Sequence, residues 1–556
     1  MKWKKLEHNG ILFPPDFETK KIKIKIKGES VDLDINQEEM VYQWAKKKDT
    51  PYAQDKVFQK NFVADFAKTF GKKYKKLELD DVDFKNAFNL VDKEKDAKEL
   101  LTKEEKKALA AKRKELREEM KVKFGTGKMD GNEVEIANYM AEPPGIFIGR
   151  GEHPLRGKWK PKVTSKDVTL NLGKEAKVPA GNWGKIVHDQ ESMWMASWTD
   201  FLTQKRKYVW LADTAGIKQD RDKAKYDKAK MLAKEIETIK NKIVKDMQNK
   251  DPKVRRISTV CWLIYRTAMR VGDEKDPDEA DTVGATTLRK EHVTLTSDAI
   301  KFDFLGKDSV RWQETVPAVG NDKQFHENLK ELTAKIKATD EIFGNLTSRD
   351  VNEYYKTVVK GLTAKVFRTF SASTVVSKYL NENGDVKKGS QMEKLYHAKL
   401  ANLEAAIMCN HKRTIPKTFE QSLQKKRDTL KTAEKATPWK KNEEVLKKAE
   451  STKTKTDAQE KKRKERITKI KGMIKKSKAK QKERVEKLRL QLDLTEKTRD
   501  YNLGTSLRNY IDPRIFKSWT DEVTADWEKL YTAALQKKFL WVKSENESWQ
   551  NVSKHY

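Results

Sequence analysis

The chain has 556 residues, with 119 Lys or Arg against 85 Asp or Glu, which gives a formal charge of +34. That length suits about three to five domains and a sizeable buried core, and 14 Trp, 15 Tyr and 20 Phe exclude a wholly disordered chain. Two cysteines exclude a disulfide framework or a cysteine-only zinc site and point to a reducing compartment.

No run approaches the roughly 18 apolar residues that span a bilayer, and the opening residues lack the apolar core of a secretory signal. A soluble intracellular protein is expected, and charge alone makes nucleic acid the leading partner.

In chain order, Lys21 to Lys27 alternates Lys with Ile, so Ile22, Ile24 and Ile26 share one face of a strand and lysines the other. Two readings stand: an edge strand guarded by charge, or a DNA-facing strand. Phe58, Phe62, Phe66 and Phe70 recur every fourth position, which predicts a buried helix stripe. Thr102 and Glu105 have the spacing of a capping box, ahead of a long exposed helix over 106–123. The stretch 142–154 is too rich in Gly and Pro for a helix or central strand and reads as a structured loop. It has neither the Walker pattern nor a G-x-G-x-x-G spacing. Residues 183–210 read as short strands.

From 223 to 425 the texture is mostly helical, with helices expected over 223–247, 256–270, 348–361, 393–409 and 418–430. A hairpin interrupts it at His292 to Trp312, where Ile300, Phe302 and Phe304 alternate and Gly306 offers a turn. Residues 461–484 then carry 13 Lys or Arg against Glu465 and Glu483. Behind that charge, Ile467, Ile470, Ile474, Ser477, Gln481, Val485, Leu488 and Leu492 form a seam at spacings of three and four. The pattern predicts an antiparallel helical pair or short coiled coil, weakly packed at its polar middle, with Pro438 dividing it from the preceding helix. A solvated spacer and a basic arm on DNA are compatible readings of it. Residues 498–556 regain aromatic density and must pack on another region.

Five places hold residues suited to chemistry. Arg270 ends a helical run before Val271-Gly272, and Lys307 follows Gly306 at a turn tip. Arg368 lies within Thr363 to Phe370, and His411 follows Met408-Cys409-Asn410 at a helix end. Tyr510 precedes Ile511-Asp512-Pro513. Each alone is a common surface or packing residue, and spacing does not bring them together. The acidic run from Asp273 to Glu279 reads as a solvated loop in preference to a two-metal site.

As an ordered set, these stretches resemble the eukaryotic type IB DNA topoisomerases. The resemblance is carried by Ala268-Met269-Arg270-Val271-Gly272, Ala280-Asp281-Thr282-Val283-Gly284 and Leu305-Gly306-Lys307-Asp308-Ser309. Further on, it is carried by Ala364-Lys365-Val366-Phe367-Arg368-Thr369, Cys409-Asn410-His411 and Asn509-Tyr510-Ile511-Asp512-Pro513-Arg514. The loop from Pro143-Pro144-Gly145 through Gly149-Arg150-Gly151 to His153-Pro154 is similar to the same family's upper lobe. Nearly the whole chain is covered.

The resemblance implies a multidomain α+β protein, a bilobed DNA clamp. A mixed cap lobe would occupy 1–222 and a mainly helical catalytic lobe related to tyrosine recombinases 223–425. A basic helical coiled-coil linker would occupy 426–497, and a C-terminal domain carrying the nucleophile 498–556. The implied activity is ATP-independent relaxation of supercoiled DNA by transient cleavage of one strand, rotation and religation. Tyr510 would be the nucleophile of a 3′-phosphotyrosyl link. Arg270, Arg368 and His411 would stabilise the phosphate charge, and Lys307 would protonate the departing 5′ oxygen.

DNA contacts are implied at Asn509, Asp308, Arg150, Met140, Lys365 and Arg508. Two of these depart from the family pattern: Met140 offers no hydrogen-bond donor, and Arg508 is displaced by one position, which redirects it on any continuous element. The scheme requires no metal or cofactor, with Mg2+ or salt stimulating without acting catalytically. The implied partner is duplex DNA of little sequence preference, encircled by a monomer, with no membrane. A cellular member would reside in the nucleus, a viral one in the virion or host cell. The chain begins near the family's cap, without the long charged tail common ahead of it. The nearest enzymatic rival is a tyrosine recombinase, and outside enzymes it is a DNA-binding scaffold.

Overall fold

Ile22, Ile24 and Ile26 are buried and the lysines between them are exposed, as the alternation requires. The strand itself is short, Ile24–Ile26, and it is central rather than at an edge. Glu29–Val31 pairs with it on one side and Val82–Asp83 on the other. Lys27 and Gly28 both take positive φ, 51° and 85°, and close a two-residue hairpin turn that returns the chain alongside. The lysines are therefore the solvated face of a paired strand, and the guarded-edge reading does not hold.

The computed structural model describes every residue except Met1, Lys75, Arg150 and 273–281, and gives Asp308 through its backbone alone. Two compact units emerge. The first comprises the described residues up to Asp222, Thr282 and the turn Lys307–Ser309; the second comprises 223–272, Val283–Gly306 and Val310–Tyr556.

In the first unit, Asp55 caps the helix Lys56–Lys68, whose Phe58, Phe62 and Phe66 are fully buried. Phe62 stacks on Trp44 at 4.6 Å between centroids. Phe70 lies beyond the helix end and meets Phe66 edge-on. Thr102 and Glu105 form the reciprocal capping box of the helix Lys103–Phe124, which has no buried residue. A seven-stranded sheet forms the other half of the unit. Its order is Leu6–His8, Thr126–Met129, Asn132–Ala137, Arg206–Leu211, Trp194–Thr199, Thr169–Asn171 and Lys185–Val187. Neighbours are antiparallel except the last pair, which is parallel. The Gly/Pro loop contributes a two-residue strand, Gly145–Ile146, paired with Trp159–Lys160.

The second unit is mainly helical. Its apolar core has two clusters, one around Trp262, Phe302, Phe343 and Phe367, the other around Val376, Ile511, Phe516 and Trp519. The helix Ala364–Asn383, which propensity had not outlined, feeds both. The hairpin is part of a three-stranded sheet, Val293–Leu295, Ala299–Gly306 and Val310–Pro317.

In the basic region, Phe419–Lys435 and Lys440–Ser451 pack on the 41-residue helix Asp457–Lys497, and Pro438 lies in the break between the first two. Ile470 and Ile474 are buried, and so is Gln481, whose side-chain amide donates to the Ala433 carbonyl. A hydrogen bond thus closes the polar middle of the seam, where loose packing was expected. At the base of this helix Lys497 reaches the Asp493 carboxylate at 2.9 Å and the Tyr396 hydroxyl at 3.1 Å. Among the described residues, no helix is long and apolar enough to cross a membrane.

Truncation of Phe62 to Ala should remove the centre of the first unit's aromatic stack and cost about 3–5 kcal/mol. Urea unfolding followed by tryptophan fluorescence would register the loss, and a change below 1 kcal/mol would contradict this packing.

Candidate active site

The helix Pro252–Thr267 stops where Ala268 turns into the left-handed region, φ 51° and ψ 27°. Arg270 therefore lies past the helix, in a segment without regular secondary structure, and not at the end of a helix over 256–270 as expected. That segment is held from the other side: Ala285 N–H donates to the Arg270 carbonyl at 2.8 Å and Thr286 N–H to that of Val271 at 2.7 Å. The two stretches cross glycine on glycine. A Cβ on Gly284 would stand 2.4 Å from the Gly272 Cα and 3.0 Å from the Arg270 carbonyl oxygen, so neither chain could stay in place.

Arg368 lies in the second turn of Ala364–Asn383 and is buried. Its Nη1 donates to the Ala268 carbonyl at 2.6 Å and its Nη2 to the Cys409 carbonyl at 2.8 Å. One guanidinium thus ties three segments distant in sequence. Cys409 ends the helix Gln391–Met408. Asn410 then takes φ 52°, and its N–H and that of His411 close back on Ile407 and Ala406 at 2.9 and 2.8 Å. The His411 carbonyl accepts from Asn502 N–H at 2.8 Å, which brings in the segment leading to Leu503–Asn509. That short helix is docked by Ser506, whose hydroxyl donates to Asn402 Oδ1 at 2.7 Å, while Asn402 Nδ2 donates to the Leu503 carbonyl at 3.1 Å.

Tyr510 ends this helix between the two groups so placed. Its ring stacks on His411 at 5.4 Å and 26°, and the Arg368 guanidinium carbon stands 4.9 Å from its centre. Arg270 is within hydrogen-bonding reach of the same phenol. Four of the five singled-out residues therefore meet at one place. Lys307 is exposed on its turn, which groups with the first unit.

Charge is crowded here. Burial, and then Arg368, holds the Arg270 guanidinium below its ordinary pKa. Burial, followed by Arg368 and Arg270, pushes the His411 imidazole down to about 3. The imidazole is neutral, both its ring nitrogens are buried without a partner, and so is Arg368 Nε. Desolvated donors beside two cations form a receptor for an anion, and a phosphodiester with its non-bridging oxygens matches that need. Among the described residues, no group of three or more His, Cys, Asp or Glu is placed to hold a metal ion.

The implied DNA contacts are more scattered. Lys365 is exposed on the first turn of the Arg368 helix, and Arg508 and Asn509 are exposed just ahead of Tyr510. Asn509 spends its amide on the Thr505 carbonyl at 3.0 Å. Met140 is exposed in the first unit. Arg150, the Asp308 side chain and the acidic run 273–279 lie outside the described residues. Sequence reasoning passed over Ser506, Asn402 and Asp512. Of these only Asp512 left a signal, an Asp-Pro pair at a helix start.

Three family models match the chain in succession. They are the DNA binding fragment of eukaryotic DNA topoisomerase I over residues 1–211, its catalytic core over 214–445, and a C-terminal topoisomerase domain over 482–551. DNA topoisomerase 1 of Homo sapiens is 33% identical across 97% of this chain and 71% of its own length. The Candidozyma auris protein of that name is 33% identical across 99% and 83%. The chain belongs to the eukaryotic DNA topoisomerase I family. DNA topoisomerase 1 beta of Arabidopsis thaliana is 36% identical across 97% of the chain, which spans 58% of that relative's length.

His411 should keep its ring neutral in the DNA-free family member. The unfolded chain accepts this proton below about 6.5 and the folded one resists it to about 3, so His411 withdraws stability as pH falls through that window. Imidazole proton shifts should stay flat from pH 8 to 5; a midpoint near 6.5 would contradict the site. Gly284→Ala should destabilise by about 1–3 kcal/mol through overpacking, read by urea melts, and an unchanged midpoint would refute the close crossing.

Proposed function

We propose that this chain relaxes supercoiled duplex DNA without ATP, by transient cleavage of one strand through Tyr510. The observation that carries the reading is the Tyr510 ring, held between Arg368, whose Nε is buried without a partner, and His411, whose two ring nitrogens are likewise buried and unpartnered. Family membership supports it. The Tyr510 oxygen attacks a backbone phosphorus and the bond from phosphorus to the 5′ oxygen breaks, leaving a 3′-phosphotyrosyl ester and a 5′-hydroxyl. Reversal after rotation reseals the strand, so no energy source is consumed.

A phenol with an ordinary pKa of about 10 is a weak nucleophile at neutral pH. Transition-state stabilisation therefore carries much of the rate. Arg270 meets the growing charge on the non-bridging oxygens with a planar donor fork, Arg368 with the Nε–H that its carbonyl partners leave over, and His411 adds a hydrogen bond. Lys307, on its exposed turn, protonates the departing 5′ oxygen. The first unit serves as the cap, the second unit's helical core as the catalytic lobe related to tyrosine recombinases, and 426–497 as a basic linker. The two units act as lobes of a clamp on duplex DNA. One copy suffices, the nucleus is its place of work, and Mg2+ or salt stimulates without entering the chemistry.

In EDTA and without nucleotide, the wild-type protein should relax plasmids of either supercoil sign and Tyr510→Phe should not. Arg368→Ala should slow adduct formation by about 10²–10³-fold, the usual effect of losing one transition-state donor. A covalent adduct formed by Tyr510→Phe would overturn the reading.

A further inference from the structure

The turn that carries Tyr510 is bracketed by a buried network outside the reacting groups. Asp512 is fully buried, and its N–H donates to Ser373 Oγ at 3.0 Å. The same hydroxyl stands 3.4 Å from the Tyr510 carbonyl oxygen, so Ser373 spans the turn from nucleophile to Asp512. Ser373 lies on the Arg368 helix, so one rigid element sets both the guanidinium and the backbone of the phenol.

The Asp512 carboxylate is fixed in turn. It caps Pro513–Glu522 by accepting Arg514 N–H at 3.0 Å, and it pairs with the Arg514 guanidinium at 2.8 Å through Nη2. Arg514 is anchored at its other end to Asp227 at 2.7 Å. A donor from outside this turn is Tyr556, whose hydroxyl reaches Asp512 Oδ2 at 2.8 Å while its ring packs against both apolar clusters. Arg514 balances the charge and holds both carboxylate oxygens, its Nε standing 3.1 Å from each, but it lies on the same turn as Asp512; the Tyr556 hydroxyl is the contact that ties this carboxylate to a distant part of the chain. A buried acceptor stripped of one donor turns toward another or admits water.

We propose that Tyr556 is a positioning residue for strand cleavage, holding Asp512 so that Ser373 fixes the turn bearing Tyr510. The proposal rests on the reading of Tyr510 as nucleophile. An ångström of misplacement can cost about a hundredfold in rate, and Tyr556→Phe removes the hydroxyl while keeping the packed ring.

The experiment is single-turnover formation of the denaturant-resistant adduct on a suicide duplex, with enzyme in excess, for wild type, Tyr556→Phe, Ser373→Ala and the double variant. Tyr556→Phe should react about tenfold more slowly, with full adduct amplitude and unchanged duplex affinity. The double variant should be no slower than Ser373→Ala alone, because both changes act on one bracket. A wild-type rate for Tyr556→Phe, additive effects in the double variant, or reduced amplitude at unchanged rate would overturn the proposal, as would failure of Tyr556→Phe to fold. A wild-type rate for Ser373→Ala would overturn it independently. Tyr510→Phe is the control: an adduct from it sinks the nucleophile assignment, whereas an inert Tyr510→Phe beside a wild-type Tyr556→Phe sinks the Tyr556 role alone.

Discussion

The geometry around Tyr510 depends on one buried cation. Arg368 spends Nη1 and Nη2 on the carbonyls of Ala268 and Cys409, residues whose neighbours become Arg270 and His411. Burying a guanidinium is costly unless its donors are satisfied, so the fold must deliver both carbonyls to the same place. Ala268 does so by leaving the helix in a left-handed turn, and Cys409 by ending its helix before the left-handed Asn410. The chain breaks that present Arg270 and His411 are thus the same breaks that make room for Arg368.

The charge left over follows from this. Asp512, the carboxylate two residues from the phenol, is neutralised by Arg514 and withdrawn into the core. Burial, and then the nearby Arg368, holds the Arg270 guanidinium below its ordinary pKa. In the proposed reading, a phosphodiester bound there would lower the repulsion between the two guanidiniums and give His411 and Arg368 Nε the partners they lack, so anion binding and completion of the site would be one event. A neutral imidazole suits the task, because it donates a hydrogen bond without adding a third cation.

Much of the fold was legible where side-chain periodicity is strong. The Phe58, Phe62 and Phe66 stripe, the Thr102 cap and the hairpin around Phe302 all follow from local pattern. The position of the Lys25 strand was not, because solvated lysines guard an edge and decorate a central strand with one face in water equally well. Gln481 misled for a related reason: polarity in a seam looks like weak packing until its partner, the Ala433 carbonyl, is in view. For the site, motif order grouped Arg270, Lys307, Arg368, His411 and Tyr510, yet nothing in their spacing told of Ala268's turn or of Ser373. Those are settled by backbone geometry and by contacts over long sequence separations, which a period of two or 3.6 does not record.

The helix Asp457–Lys497 has mechanical consequences. Its 41 residues extend about 60 Å at 1.5 Å per residue, and its base is gripped where Tyr396, on the helix Gln391–Met408, meets its Asp493 and Lys497. A tilt of about five degrees at that grip sweeps the far end through about 5 Å by simple leverage on that length. Read in reverse, a modest sideways push at the tip arrives at the base as a multiplied torque, on a segment that runs directly into the helix ending at Tyr510.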